Sequence, residues 1–135
     1  MNTLTHAEAI EQFGINVDAE FTADDPIPVL TGVQFQGDVA VVPTNGKLAT
    51  GTVPQAGVPV VRGENGGNTH LLLHTPGVTF DAVDNGSLII GRLTVAENST
   101  AYLAHPEHGY AGIGTGTYGI RRQREQADEI RMVQD

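Results

Sequence analysis

Apolar residues along this chain recur with two different periods, and the change between them divides it. Near the start, Ile10 and Phe13 fall on one helical face, Thr5-His6-Ala7-Glu8 has the form of a capping box, and Gly14 is a natural left-handed stop. The pattern predicts a helix of two turns over 6–13, too short to hold itself together in water, so it must dock on something. Asp24-Asp25-Pro26-Ile27-Pro28 then predicts an extended linker, because each proline pushes its predecessor out of the helical region. From Val29 onward the period becomes two. Val29, Thr31, Val33 and Phe35 alternate with Leu30, Gly32 and Gln34, which predicts one half-buried strand over 29–35. Further strands are expected at 39–42, 58–62, 70–74, 78–83, 88–95, 100–105, 117–125 and 130–133, separated by turn residues. Asn45-Gly46 is the strongest hairpin signal.

Eight to ten short strands at this spacing predict an all-β fold, a small β-barrel or two-sheet sandwich, preceded by a short helix and an extended arm. The arm is read as residues 1–28 and the β domain as 29–135. The 17 glycines and 7 prolines among 135 residues mark the turns of such a fold, and one domain of this size needs no disulfide or metal to close its core.

Charge and composition narrow the chemistry. With no cysteine there is no thiol nucleophile, no disulfide and no Cys-ligated metal. The net charge of −9 argues against nucleic acid and anionic membranes as partners. No apolar run approaches the ~20 residues of a spanning helix, and the N-terminus does not read as a secretory signal, so a cytoplasmic origin is expected. The first 25 residues hold six acids and no Lys or Arg, whereas Arg121, Arg122, Arg124 and Arg131 crowd eleven positions near the other end. These surfaces are complementary, within one molecule or between neighbours. Leu4, Ile10, Phe13, Phe21, Arg122 and Arg124 are therefore the candidate interface residues.

Histidine offers the main alternative. His105-Pro106-Glu107-His108 is an H-x-x-H spacing, and His70 and His74 share a strand face. His70, His105 and His108, with His74 or Glu107 as a fourth group, could hold a divalent metal in a cupin-like barrel, although the His-x-His pair of that pattern is broken by Asn68. A solvent-facing role for these histidines is the competing reading. Gly114 through Gly119 matches G-x-G-x-x-G, but a strand pattern follows where a nucleotide-binding loop needs a helix; a bend at a corner is expected instead. Ser87 and Ser99 sit in turns, not in a nucleophile elbow.

Gly37-Asp38-Val39, residues 63–70, the H-x-x-H stretch and the closing Tyr118-x-x-x-Arg122-Gln123-Arg124-Glu125 together resemble an uncharacterised group of short β-rich proteins from bacteria and their phages. The resemblance spans about residues 37–133, leaves the arm aside and implies a β-rich fold without implying an activity. The leading expectation is a non-catalytic structural or binding module that needs no cofactor. It would act in a larger assembly through a protein partner or self-association, plausibly in a phage particle as a capsid decoration or tail protein of the virion. A metal-dependent enzyme or sensor is the second expectation, and an acidic inhibitor mimicking nucleic acid the third.

Overall fold

A computed structural model describes residues 4–17, 24–61, 69–83 and 89–122. Helix α1 (His6–Phe13) is followed by β1 (Val29–Leu30), β2 (Gln34–Gln36), β3 (Val39–Pro43), β4 (Val58–Val61) and β5 (His70–Leu72). Then come β6 (Val78–Ala82), β7 (Ile89–Val95), β8 (Ala101–His105), β9 (Gly109–Ile113) and β10 (Gly116–Arg122). They form two five-stranded sheets, ordered β1-β9-β8-β5-β4 and β2-β3-β10-β7-β6. Every pairing is antiparallel except the two-residue parallel one of β1 on β9. The sheets stay separate, so the all-β fold is a two-sheet sandwich and not a closed barrel.

Period-two burial builds the core. In β7, Gly91, Leu93 and Val95 are buried while Arg92 and Thr94 are half-exposed, as expected where one face meets the core. Val39, Val41, Leu72, Leu103, Ile113 and Tyr118 join them between the sheets. The chain changes sheets at Gly114-Thr115, and Tyr118 secures that corner by donating its hydroxyl to the Gly114 carbonyl at 2.8 Å. The glycines of the G-x-G-x-x-G stretch thus serve a sheet switch.

Strand β8 is buried at all five positions, which one core cannot explain. Its Tyr102 and Ala104 face outward into a second core with Leu73, Tyr110, Ala9 and Ile27. The arm supplies the cover: Leu4, Ile10, Phe13 and Ile15 pack there, and Ile27 is fully enclosed. Burying Ile27 contributes about 1.5–3 kcal/mol, more than a two-turn helix gains from its own hydrogen bonds. The helix starts as its sequence dictates. Thr5 Oγ1 accepts from the Glu8 amide at 3.2 Å and Glu8 Oε1 from the Thr5 amide at 2.8 Å, while Gly14 ends the helix at φ 78°. One polar clasp ties the arm to the sheet, Tyr110 Oη donating to the Ile15 carbonyl at 2.6 Å, while within the arm the His6 amide and His6 Nδ1 both donate to the Asp25 carbonyl at 3.0 Å.

Two local expectations are corrected. Residues 29–35 form no single strand: β1 and β2 lie in different sheets, and it is Gln34 and Gln36 that point inward, leaving Val33 and Phe35 exposed. Asn45-Gly46 closes no hairpin, since β3 pairs with β2 and β10. Asn45 keeps a negative φ, and the Gly46 amide donates to Thr44 Oγ1 at 3.1 Å. Of the candidate interface residues, Arg122 ends β10 in the second sheet, away from the sheet that carries the arm. Phe21 and Arg124 lie outside the described residues, as does the strand expected at 130–133.

Candidate functional site

The site is organised by β2, whose alternation is inverted. Gln34 and Gln36 are 8% and 5% exposed and Phe35 is 58% exposed, the reverse of what an amphipathic strand would do. Buried amides require partners. Gln34 Nε2 donates to the Gly112 carbonyl at 3.1 Å, and Gln36 Nε2 donates to the carbonyls of Leu103 and Gly109 at 2.9 and 3.0 Å. These bonds cross from one sheet to the other and fix β2 in register.

Gln36 also sets the state of His70. Both of its N–H groups are spent on carbonyls, so Oε1 must accept from His70 Nδ1, 2.8 Å away. The proton of the neutral ring is thereby placed on Nδ1. The other nitrogen, Nε2, lies 3.2 Å from Asp38 Oδ1, a hydrogen bond only when a proton sits between them. Burial lowers the His70 pKa from 6.5 to about 4; His105 and, less strongly, His108 push the same way, while Asp38 opposes by its charge and its hydrogen bond. The buried ring is neutral at physiological pH.

His105 is fixed differently. It ends β8, and its Nδ1 accepts from the amides of Glu107 and His108 at 3.1 and 3.2 Å, so the side chain closes the β8–β9 turn. Gly109 completes that turn at φ 80°. His108 then projects outward over Gly37, where φ is 58° and an added Cβ would stand 2.7 Å from His108 Nε2. Conformation favours glycine there, while the exposed His108 ring is the flexible neighbour that an added Cβ would displace.

The three imidazoles therefore form a triangular cluster, the His70 and His108 rings tilted 39° and 35° from that of His105. Ring centroids are 4.3 Å apart for His70 and His105, 4.5 Å for His105 and His108, and 6.3 Å for His70 and His108, the last pair nearly parallel at 10°. Among the described residues no group of three or more His, Asp or Glu side chains is placed to hold a metal ion. The hydrogen bonds supply a reason: the ring nitrogens of His70 face Gln36 and Asp38, and His105 Nδ1 faces two backbone amides. His74, the possible fourth ligand, donates from Nδ1 to the Val53 carbonyl at 2.7 Å and lines a separate cavity of 260 Å³ with Phe13 and Leu73. Glu107 is exposed in the turn.

Beside the histidine cluster opens a cleft of 490 Å³, walled by Leu30, Val33, Phe35, His108, Tyr110 and Ala111. Leu30, Val33 and Phe35 are 45%, 55% and 58% exposed. Reading the sequence by apolar alternation missed this wall, because that method turns Phe35 inward. The usable signal was the Gln-x-Gln spacing, two amides that can only be buried together if they find carbonyls.

Fold and site define a β-sandwich with an apolar cleft at one edge, backed by a histidine cluster. Residues 35–123, about two-thirds of the chain, match the model of a family described as a domain of unknown function (DUF8820). The chain belongs to that family, whose matched region runs from within β2 to just past β10 and leaves α1 and β1 outside. No curated protein and no solved structure matches it.

Proposed function

We propose that this domain is a non-catalytic binding module that docks onto a protein partner within a larger assembly, with the cleft between β1, β2 and β9 as its contact surface. A phage particle component is the narrower form of this reading. The observation that carries it is the exposure of Leu30, Val33 and Phe35 around a 490 Å³ cleft. A contiguous apolar patch rimmed by polar residues is what protein contact sites present. The inverted strand beneath supports it too, since holding Phe35 outward forgoes the ~1.5–3 kcal/mol its burial would contribute.

A peptide-library selection against the full chain tests the reading. Enriched peptides should carry apolar anchors and lose their binding when Phe35 is changed to Ser. If nothing is enriched, or the enriched peptides bind wild type and Phe35→Ser alike, the cleft is not the contact surface.

A further inference from the structure

We infer that the cleft takes an extended segment of a partner protein, which adds to the second sheet as a new strand alongside β2; this deepens the docking role proposed above and rests on it. Val33, Gln34, Phe35, Gln36 and Gly37 border the cleft without a gap. Side chains on a strand alternate between its faces, so an unbroken run means that the cleft opens on the edge of β2 and its backbone, not on one face. β2 ends the order β2-β3-β10-β7-β6, and among the described residues no strand pairs with its other side. Gln36 and Val39 flank the two-residue turn Gly37-Asp38, the place of a hydrogen-bonded pair in such a hairpin. Alternation makes Gln34 and Val41 the next such pair and turns the Phe35 amide and carbonyl away from β3, towards the cleft.

The other three sheet edges are guarded. β6 is covered by the segment before β4, where the Phe80 amide donates to the Gly51 carbonyl at 2.9 Å and Thr52 bridges to Thr79. β4 carries Pro59, which has no N–H to offer, and β1 is two residues long behind Pro28. Such devices keep an edge from pairing with another chain. β2 has neither proline nor charge, and beside it stand the exposed side chains of Leu30, Val33 and Phe35. Backbone groups to pair with, next to apolar walls that receive alternate side chains, are what strand addition uses. A volume of 490 Å³ lies within the about 300–1,000 Å³ of ligand-sized pockets and holds a few such side chains. A second copy fits less well. Among the described residues its exposed large apolar side chains are Leu30, Val33 and Phe35, the walls themselves, and Leu48. It would therefore bring the same walls and one further side chain with which to fill them.

The test uses the full-length chain, the most enriched peptide of the library selection made with a fluorescent label, and copies of that peptide each N-methylated at one backbone amide. Binding is followed by fluorescence anisotropy, and oligomeric state by size-exclusion chromatography with light scattering. N-methylation should weaken binding at least about tenfold at amides spaced two apart, which face β2, and by less than about twofold at those between them. In the complex, hydrogen exchange at the Phe35 amide of the wild-type chain should slow at least about tenfold, while the Gln36 amide, already bonded to β3, changes less. Sensitivity without that period of two, or a Phe35 amide that exchanges as before, would overturn strand addition. The docking role would still stand if Phe35→Ser, shown to fold by its melting curve, loses the peptide. A dimer that Phe35→Ser dissolves would overturn the inference in favour of a second copy. Peptides that bind Phe35→Ser as tightly as wild type, or an empty selection, would remove the docking role and the inference together.

Discussion

The outer face of the β1-β9-β8-β5-β4 sheet and the cleft at its edge are both apolar, and Tyr110 belongs to both, yet among the described residues only the first is covered. On the covered face Phe13 packs 5.6 Å from the Tyr102 ring and 6.2 Å from that of Tyr110, and the Tyr110 hydroxyl clasps the arm. At the cleft Phe35 stands 58% exposed. The two phenylalanines differ in what lies behind them. Phe13 rides on an amphipathic helix that has no other way to be stable, so burial and folding are one event. Phe35 rides on a three-residue strand whose inward positions are glutamines bonded to the opposite sheet, so it is held outward at no cost in satisfied hydrogen bonds. A slip of one residue would bury Phe35 and strand both amides. Apolar surface is thus closed where the chain needs it for stability and kept open where polar backing makes it dispensable.

The sharpest way to break the covered face is Ile27→Ala. Ile27, near the end of the arm, is fully buried in the second core with Ala9 and Tyr102, so its truncation should cost about 2–5 kcal/mol by urea unfolding and release protection of the α1 amides in hydrogen exchange. Retained α1 protection would show that the arm is held by its polar clasp instead. Tyr110→Phe isolates that clasp, and losing its bond to Ile15 should cost only about 1 kcal/mol.

The histidine cluster behind the cleft gives the next effect. The folded-state pKa of His70 is depressed to about 4 from 6.5, so between those values the unfolded chain binds more protons than the folded one. Its contribution is fully present above about pH 6.5 and is lost as pH falls towards 4, by up to about 3 kcal/mol. Because Asp38 supports the charged ring against burial and against His105 and His108, Asp38→Asn should lower the His70 pKa further. Imidazole titration by NMR measures both, and a His70 that titrates at or above 6.5 would mean that Asp38 prevails over burial.

Legibility followed sequence distance. The capping box, the Gly14 stop and the alternation in β7 depend on neighbours within a few residues, and they stand in the structure as the residues imply. The H-x-x-H spacing placed two imidazoles in one turn, but the lone pair of His105 Nδ1 is spent on the turn's own amides, a detail no spacing carries. Asn45-Gly46 misled because a hairpin also needs a partner strand, and β3 found its partners in β2 and β10. β2 misled most. Alternation shows that two faces differ but not which faces the core, and Gln36 is buried only because carbonyls 67 and 73 positions away accept from it.

The smallest stability effect is expected from Phe35→Ala, and its smallness is the point. The same truncation at Phe13 removes contacts with Tyr102 and Tyr110 and should cost more than about 1 kcal/mol, whereas an exposed side chain with no cover should change stability by less than about 0.5 kcal/mol. Gln34 and Gln36 keep their bonds to Gly112, Leu103 and Gly109 in the variant, so β2 keeps its register and the sandwich its melting midpoint. Paired urea melts of Phe13→Ala and Phe35→Ala read this directly. Equal losses would mean that Phe35 is covered in solution by something the free chain supplies, and the distinction between a closed face and an open one would fall. A loss confined to Phe13→Ala, with binding of library-selected peptides lost only in Phe35→Ala, would separate a surface that holds the fold from one that serves a partner.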